Sequence, residues 1–230
     1  ELRTPLNGIL GMLQALQQSP LSEAQLEWVV TANYSGRSLL RIISDILDFS
    51  RIEAGSFELA PQLFDFSATV RSALGMFIPQ AERKNVRFSL KMDKSIPGVL
   101  IGDDARVRQI IINLVGNAFK FTARGHIRVE CSLLPRRKNG KRCIFLAVRD
   151  TGIGIPEDRL GDIFRAFTQL DGSSTRRYAG TGLGLAIVCK LVTLMGGGLG
   201  VESVLGKGTI VHCSLPFEEP PQPAAVPEYA

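Results

Sequence analysis

The chain has 230 residues, 45% of them hydrophobic and 21% charged, enough to bury a core in one or two domains and too apolar for a disordered segment. Its 27 Lys and Arg exceed its 22 Asp and Glu by 5. Because Arg136, Arg137, Lys138, Lys141 and Arg142 alone supply that excess, the remainder balances to zero and carries no basic face of the kind that tracks nucleic acid. No apolar run approaches the roughly 20 residues of a membrane-spanning helix and no secretory signal opens the chain, so a soluble portion is expected, with any membrane anchor lying upstream.

The first 55 residues hold two helical patterns. Leu2, Leu6, Ile9, Leu13 and Leu16 recur at alternating spacings of 4 and 3, a heptad seam that calls for a partner helix. After Gln18-Ser19-Pro20, Ser22 and Gln25 form a capping-box signature, and a second seam runs from Leu26 through Val29, Asn33, Gly36, Leu40, Ile43 and Leu47 to Ser50 until Gly55 stops it. One helical hairpin cannot bury seams this apolar. Pairing with a second copy into a four-helix bundle, and hence a homodimer, is therefore expected.

From Phe64 the periodicity changes. Residues 65–84 predict a helix, the alternation of Val86, Phe88, Leu90 and Met92 a strand, and residues 103–121 another helix. Strands over 126–134 and 143–149 flank the basic cluster, whose Asn139-Gly140 is a hairpin-turn signal; the cluster is either a solvated tip or a docking patch for an acidic partner. Thirteen of the 23 glycines fall between Gly152 and Gly208, yet 183–195 still reads as a helix, with strands near 198–203 and 208–215. The Pro-rich end after Phe217 reads as a linker or tail. The fold expected is α+β: residues 1–60 a dimerising hairpin, 61–217 an α/β two-layer sandwich, 218–230 the tail. Cys131, Cys143, Cys189 and Cys213 show no paired spacing and read as free thiols of a reducing compartment.

Three segments carry chemistry. Asn113 and Asn117 lie one turn apart on a helix, with Lys120 three residues on; amides inside the run Ile110-Ile111-Ile112 and Leu114-Val115 either bind a ligand, by oxygen ligation of Mg²⁺ beside phosphate, or are satisfied by backbone or water. Asp150-Thr151-Gly152-Ile153-Gly154-Ile155 follows an apolar strand, so the Asp150 carboxylate is either an acceptor for a donor such as the adenine amine or part of an ordinary turn. Gly180-Thr181-Gly182-Leu183-Gly184 opens directly into an apolar helix, and glycines that expose N–H groups there make a phosphate cradle. Its spacing is neither the dinucleotide fingerprint nor the Walker loop. Between the last two, Gln169 to Arg177 is small and polar with two arginines and looks like a mobile lid.

Together with Glu1-Leu2-Arg3-Thr4-Pro5-Leu6 and Phe164-Arg165-Ala166-Phe167, these segments stand in the order found in bacterial sensor histidine kinases. The resemblance covers residues 1–217, and Phe167-Thr168-Gln169-Leu170-Asp171 with Ser174-Thr175-Arg176 is similar to the hybrid branch, in which a receiver domain often follows. It implies a dimerisation and histidine-phosphotransfer hairpin followed by an ATP-binding sandwich shared with gyrase, Hsp90 and MutL. By resemblance, Asn117 coordinates Mg²⁺, Asn113 and Lys120 serve the phosphates, Phe121 packs near the base, Asp150 binds the adenine amine and Thr209 assists there. Gly152, Gly154 and Ile155 belong to the base loop; Arg176, Gly180, Thr181, Gly182, Leu183 and Gly184 belong to the lid and cradle.

The family phosphoacceptor is a histidine immediately before the Glu-Leu-Arg-Thr-Pro run, a position preceding residue 1. The resemblance makes Glu1 the acceptor of its ring proton and Thr4 the residue that orients water against a phosphorylated partner aspartate, while Arg3 contacts phosphate or a facing helix. A response-regulator receiver domain is the implied partner, in cis or trans, and the implied location is the cytoplasmic portion of an inner-membrane sensor. Ala179 and Ile210 depart from the glycine and phenylalanine usual at those places, touching the lid and the base packing.

Overall fold

The computed structural model describes residues 3–135, 140–168 and 181–221 of the chain, which divides into two compact units, Glu1–Phe57 and Glu58–Ala230. In the first, α1 (Arg3–Gln17) and α2 (Glu23–Glu53) run antiparallel, as the contacts of Arg3 with Ser44 and of Leu10 with Gly36 require. Both halves of the capping box are present: the Gln25 N–H donates to Ser22 Oγ at 3.3 Å and the Ser22 N–H to Gln25 Oε1 at 2.9 Å. Gly55, at φ 64°, follows the Ala54 cap. Leu10 lies so close to Gly36 that a Cβ there would meet its Cδ2 at 2.8 Å, so the small residue sets the helix spacing. Leu6 and Leu10 are buried, whereas Ile9, Met12, Leu16, Leu26, Trp28 and Leu47 remain exposed on the single hairpin.

Two polar residues of α2 are nevertheless buried. Asn33 accepts from Arg37 Nε at 2.8 Å, and Asp45 has its carboxyl pushed up to about 6 by burial, a rise that Arg41 opposes and Asp48 reinforces. Arg3 donates to Ser44 Oγ at 3.1 Å, so of the two contacts open to it the described one is with the facing helix.

The second unit begins with β1 (Gln62–Phe64), paired antiparallel with β3 (Leu100–Gly102). The predicted helix over 65–84 is broken into α3 (Phe66–Gly75) and α4 (Ile78–Lys84), because Pro79 in the first turn of α4 has no N–H to continue the earlier ladder. Then come β2 (Val86–Met92), α5 (Asp104–Phe121), β4 (Gly125–Leu134), β5 (Arg142–Asp150), a 3₁₀ turn at Glu157–Arg159, α6 (Gly184–Leu194), β6 (Gly198–Val204) and β7 (Gly208–Phe217). The main sheet has the order β2-β4-β5-β7-β6, with β2 and β4 parallel and the rest antiparallel.

Strand alternation makes this a two-layer sandwich. Ile127, Val129, Ile144, Leu146, Val148 and Leu215 are buried on one face against Val107, Ile110, Ile111, Leu114 and Val115 of α5 and Ile187, Val188 and Leu191 of α6. Arg128, Arg149 and Glu202 point the other way. All four cysteines are free; Cys131 and Cys213 are buried among these side chains, which pushes each thiol up to about 12. After β7, Glu218 bridges to Ile101 and pairs with Lys141 at 3.0 Å, and Glu219 pairs with Arg142 at 2.9 Å. Two of the five basic residues are thereby engaged by the chain's own glutamates; Arg136, Arg137, Lys138 and Asn139 lie outside the described residues. Among the described residues no helix is long and apolar enough to cross a membrane.

Candidate functional site

Helix α5 is the wall on which the site is built. Asp103 caps it, accepting from the Arg106 N–H at 3.1 Å, and its apolar face is buried in the sandwich. The opposite edge carries Arg106, Gln109, Asn113, Asn117 and Lys120, spaced by 3, 4, 4 and 3, a continuous polar stripe on a half-buried flank. Arg106 Nη1 donates to Gln109 Oε1 at 2.8 Å. Asn113 Nδ2 is buried and has no hydrogen-bond partner among the described residues. A buried amide N–H left unpaired costs roughly 1–3 kcal/mol, so this position has room for a hydrogen-bond acceptor from outside the described residues.

The start of α6 lies against the same stripe. A Cβ built on Gly184 would stand 3.6 Å from Asn113 Oδ1 and 4.0 Å from Asn117 Nδ2, in the space glycine keeps clear. The N-cap position is Leu183, which makes no side-chain cap among the described residues, so this helix start has the open N–H groups of an anion-receiving end. Leu183 itself is fully buried and contributes backbone only. Thr181 Oγ1 accepts from the Leu183 N–H at 3.3 Å, and Gly182, at φ 70°, is packed against the backbone of Phe167 and Thr168, where a side chain has no room. Gly180, Arg176 and the predicted lid from Gln169 lie outside the described residues, as does Glu1; Thr4 is exposed in the first turn of α1.

The other end of α5 meets the loop after β5. The Phe121 carbonyl accepts from the Ile153 N–H at 3.4 Å, and a Cβ on Gly152 would fall 2.5 Å from that carbonyl oxygen and 2.9 Å from Asp150 Oδ1. Lys120 Nζ lies over the Phe121 ring, 4.9 Å from its centroid. Asp150 Oδ1 accepts from the Gly152 N–H at 2.8 Å, and the Thr209 N–H donates to the same carboxylate. Burial raises the Asp150 carboxyl above its ordinary value, and these two N–H groups only partly pull it back. Gly154, at φ 69°, packs on the Val204 carbonyl, and the Ile155 N–H donates to Ser203 Oγ at 2.8 Å.

α5 thus joins the amides, the ammonium, the carboxylate loop and the open helix end along one edge. Ile210 is a correction: it lies on the other face of the sheet, in a groove with Arg149, Glu202 and His212, because it is one residue out of phase with Thr209. It therefore faces away from Asp150 and Thr209. Sequence reasoning missed Ser203, which only the register Ser203↔Thr209 brings to Asp150 and Thr209.

A two-layer sandwich with this edge, following a helical hairpin, defines a nucleotide-binding domain of the ATPase class. The chain belongs to the histidine kinase-, DNA gyrase B-, and HSP90-like ATPase family, which residues 102–219 match, and residues 1–55 match the His Kinase A (phospho-acceptor) domain. Peroxide stress-activated histidine kinase mak2 of Schizosaccharomyces pombe is 40% identical over 213 residues, 91% of this chain and 9% of that protein. Autoinducer 2 sensor kinase/phosphatase LuxQ of Vibrio vulnificus is 40% identical over 219 residues, 95% of this chain and 26% of that protein. The crystal structure of full-length ShkA in complex with AMPPNP is 35% identical, with a TM-score of 0.76 over 95% of this chain and 44% of that one. The chain spans about a tenth to a quarter of the length of the curated relatives it matches.

Proposed function

We propose that the chain is the core of a sensor histidine kinase in a two-component system. It moves the γ-phosphate of ATP to a histidine immediately upstream of Glu1, and from there to a response-regulator aspartate. The observation that supports this is the edge of α5, where Asn113, whose Nδ2 has no partner among the described residues, lies with Asn117 against the start of α6, and the Asp150 loop meets the other end. Asn117 Oδ1 would hold Mg²⁺, which when bound neutralises phosphate charge.

The division of labour is the one that the family resemblance implies, and donor chemistry is compatible with it. Lys120 and Arg176 neutralise phosphate oxygens, the segment from Gly180 to Gly184 supplies backbone N–H groups, and Phe121 flanks the base while the Asp150 carboxylate accepts from its amine. By the resemblance to kinases, Glu1 takes the ring proton of the attacking histidine. By the same resemblance, Asn113 occupies the place, four residues before Asn117, where the ATPases sharing this sandwich carry a water-activating glutamate; an amide is no general base near neutral pH, so phosphoryl transfer to protein is favoured over sustained hydrolysis. The exposed seam of Ile9, Leu16, Leu26 and Leu47 is covered by a second copy in a four-helix bundle. The receiver domain, in cis or trans, is the phosphate acceptor, and the relative named as a kinase and phosphatase supports a reverse reaction that Thr4 would serve. The location is the cytoplasmic portion of a membrane-anchored sensor, where ATP is available and buried thiols such as Cys131 and Cys213 stay reduced.

The test is incubation of the protein, extended upstream through the histidine, with γ-labelled ATP. Acid-labile phosphoprotein is the expected product. Rapid ATP hydrolysis without phosphoprotein contradicts kinase activity, and nucleotide binding with neither product leaves a binding module or a phosphatase relative.

A further inference from the structure

Ser203, Thr209 and Asp150 form one row across three strands on the helix-facing side of the sheet. Ser203 pairs with Thr209 across β6 and β7, and Asp150 follows Arg149, the partner of Ile210, so Asp150 lies beside Thr209 on β5. Among the described residues Ser203 Oγ has three hydrogen-bonding neighbours: the Ile155 N–H at 2.8 Å, the Gly208 carbonyl at 3.0 Å and Thr209 Oγ1 at 2.8 Å. A serine hydroxyl has one proton and two lone pairs. An N–H only donates and a carbonyl only accepts, so all three contacts are hydrogen bonds in just one arrangement. Ser203 accepts from Ile155, gives its own proton to Gly208 and accepts the proton of Thr209.

We propose that Ser203 fixes the hydrogen-bond polarity of Thr209 and so makes this end of the pocket select a 6-amino purine over a 6-oxo purine. With its proton committed to Ser203, Thr209 presents only lone pairs, and Asp150 beside it accepts as well. Two acceptors side by side suit the exocyclic amine of adenine and repel the keto oxygen of hypoxanthine or guanine. Asp150 and Thr209 touch the base in the proposed nucleotide reading, on which this inference rests; Ser203 acts through Thr209 and is a positioning residue. Ser203 also holds the Ile155 N–H, so its loss loosens the base loop for every nucleotide, and the ratio of two affinities isolates the polarity effect.

The experiment is calorimetric titration of the whole chain with ADP and with IDP, which differ only in the group at C6 and the N1 proton. Wild type prefers ADP. In Ser203→Ala the Thr209 proton is released to meet a keto oxygen, and the preference falls about tenfold, the worth of one hydrogen bond. Ser203→Thr keeps the hydroxyl and the wild-type ratio. Thr209→Val removes the lone pairs and lowers the preference too, and it serves if Ser203→Ala does not fold. An unchanged ratio in Ser203→Ala, or in Thr209→Val, overturns the proposal, as does a wild type that takes IDP as readily as ADP. A wild type that binds neither overturns the nucleotide reading itself, which is a separate outcome.

Discussion

Burial of Asp45 in α2 predicts that the helical hairpin loses stability as pH rises. The residue is 6% exposed, and its carboxyl is pushed from 3.8 to about 6 by burial, with Asp48 adding to the rise and Arg41 opposing it. A raised value means that the fold favours the protonated form. Below 3.8 folded and unfolded chains are both protonated and stability is complete; between 3.8 and about 6 the unfolded chain gives up its proton first and stability falls; above that the deficit is constant. At about 1.4 kcal/mol per pH unit the full shift would correspond to roughly 3 kcal/mol, which solvent screening of a carboxyl beside Arg41 reduces to a deficit of roughly 1–2 kcal/mol. Asp45→Asn mimics the neutral form and should recover much of it at pH 7.5 and little at pH 4. Urea unfolding at fixed chain concentration, repeated from pH 4 to pH 8, measures this. A difference between variant and wild type that does not change across that range would refute the reasoning, because it would come from packing and not from ionisation.

Thr122 caps the end of α5, is fully buried, and its Oγ1 has no partner among the described residues. Thr122→Val exchanges that hydroxyl for a methyl of equal shape and should gain roughly 1 kcal/mol in the same unfolding assay, whereas a loss of that size would mean that a partner had been overlooked. Asn117→Asp adds a carboxylate beside the phosphates, so ADP affinity in EDTA should fall roughly tenfold and its magnesium dependence steepen; indifference to the change would count against a metal at Asn117.

Much of this chain was legible because its elements carry one strong period each. The capping box at Ser22, the alternation over β2 and the apolar run before Asp150 give the same answer locally as in the fold. Where Pro79 stands, an apolar helical period continued through a break that backbone chemistry demands, so one helix was expected in place of two. The pairing of β1 with β3 was not expected, since three-residue strands leave too few positions to show a period and their pairing spans some forty residues.

The site divides in the same way. Asn113, Asn117 and Asp150 stand out because each is a polar group in an apolar context, and Gly184 because it opens a helix. Ser203 has no such contrast. Its place beside Thr209 is a matter of strand register, which the sequence shows only once the β6 and β7 boundaries are known. Ile210 failed for the same reason in reverse: one residue from Thr209 in sequence is the opposite face of the sheet.

The central claim is that Asp150 and the α5 amides serve one nucleotide. It is tested most directly by titrating ADP and magnesium into wild type, Asp150→Asn and Asn113→Ala. Both substitutions should lower ADP affinity, Asp150→Asn by roughly tenfold or more because its NH₂ group faces the donors of Gly152, Thr209 and the base. ADP affinities that equal the wild-type value in both variants would contradict the account.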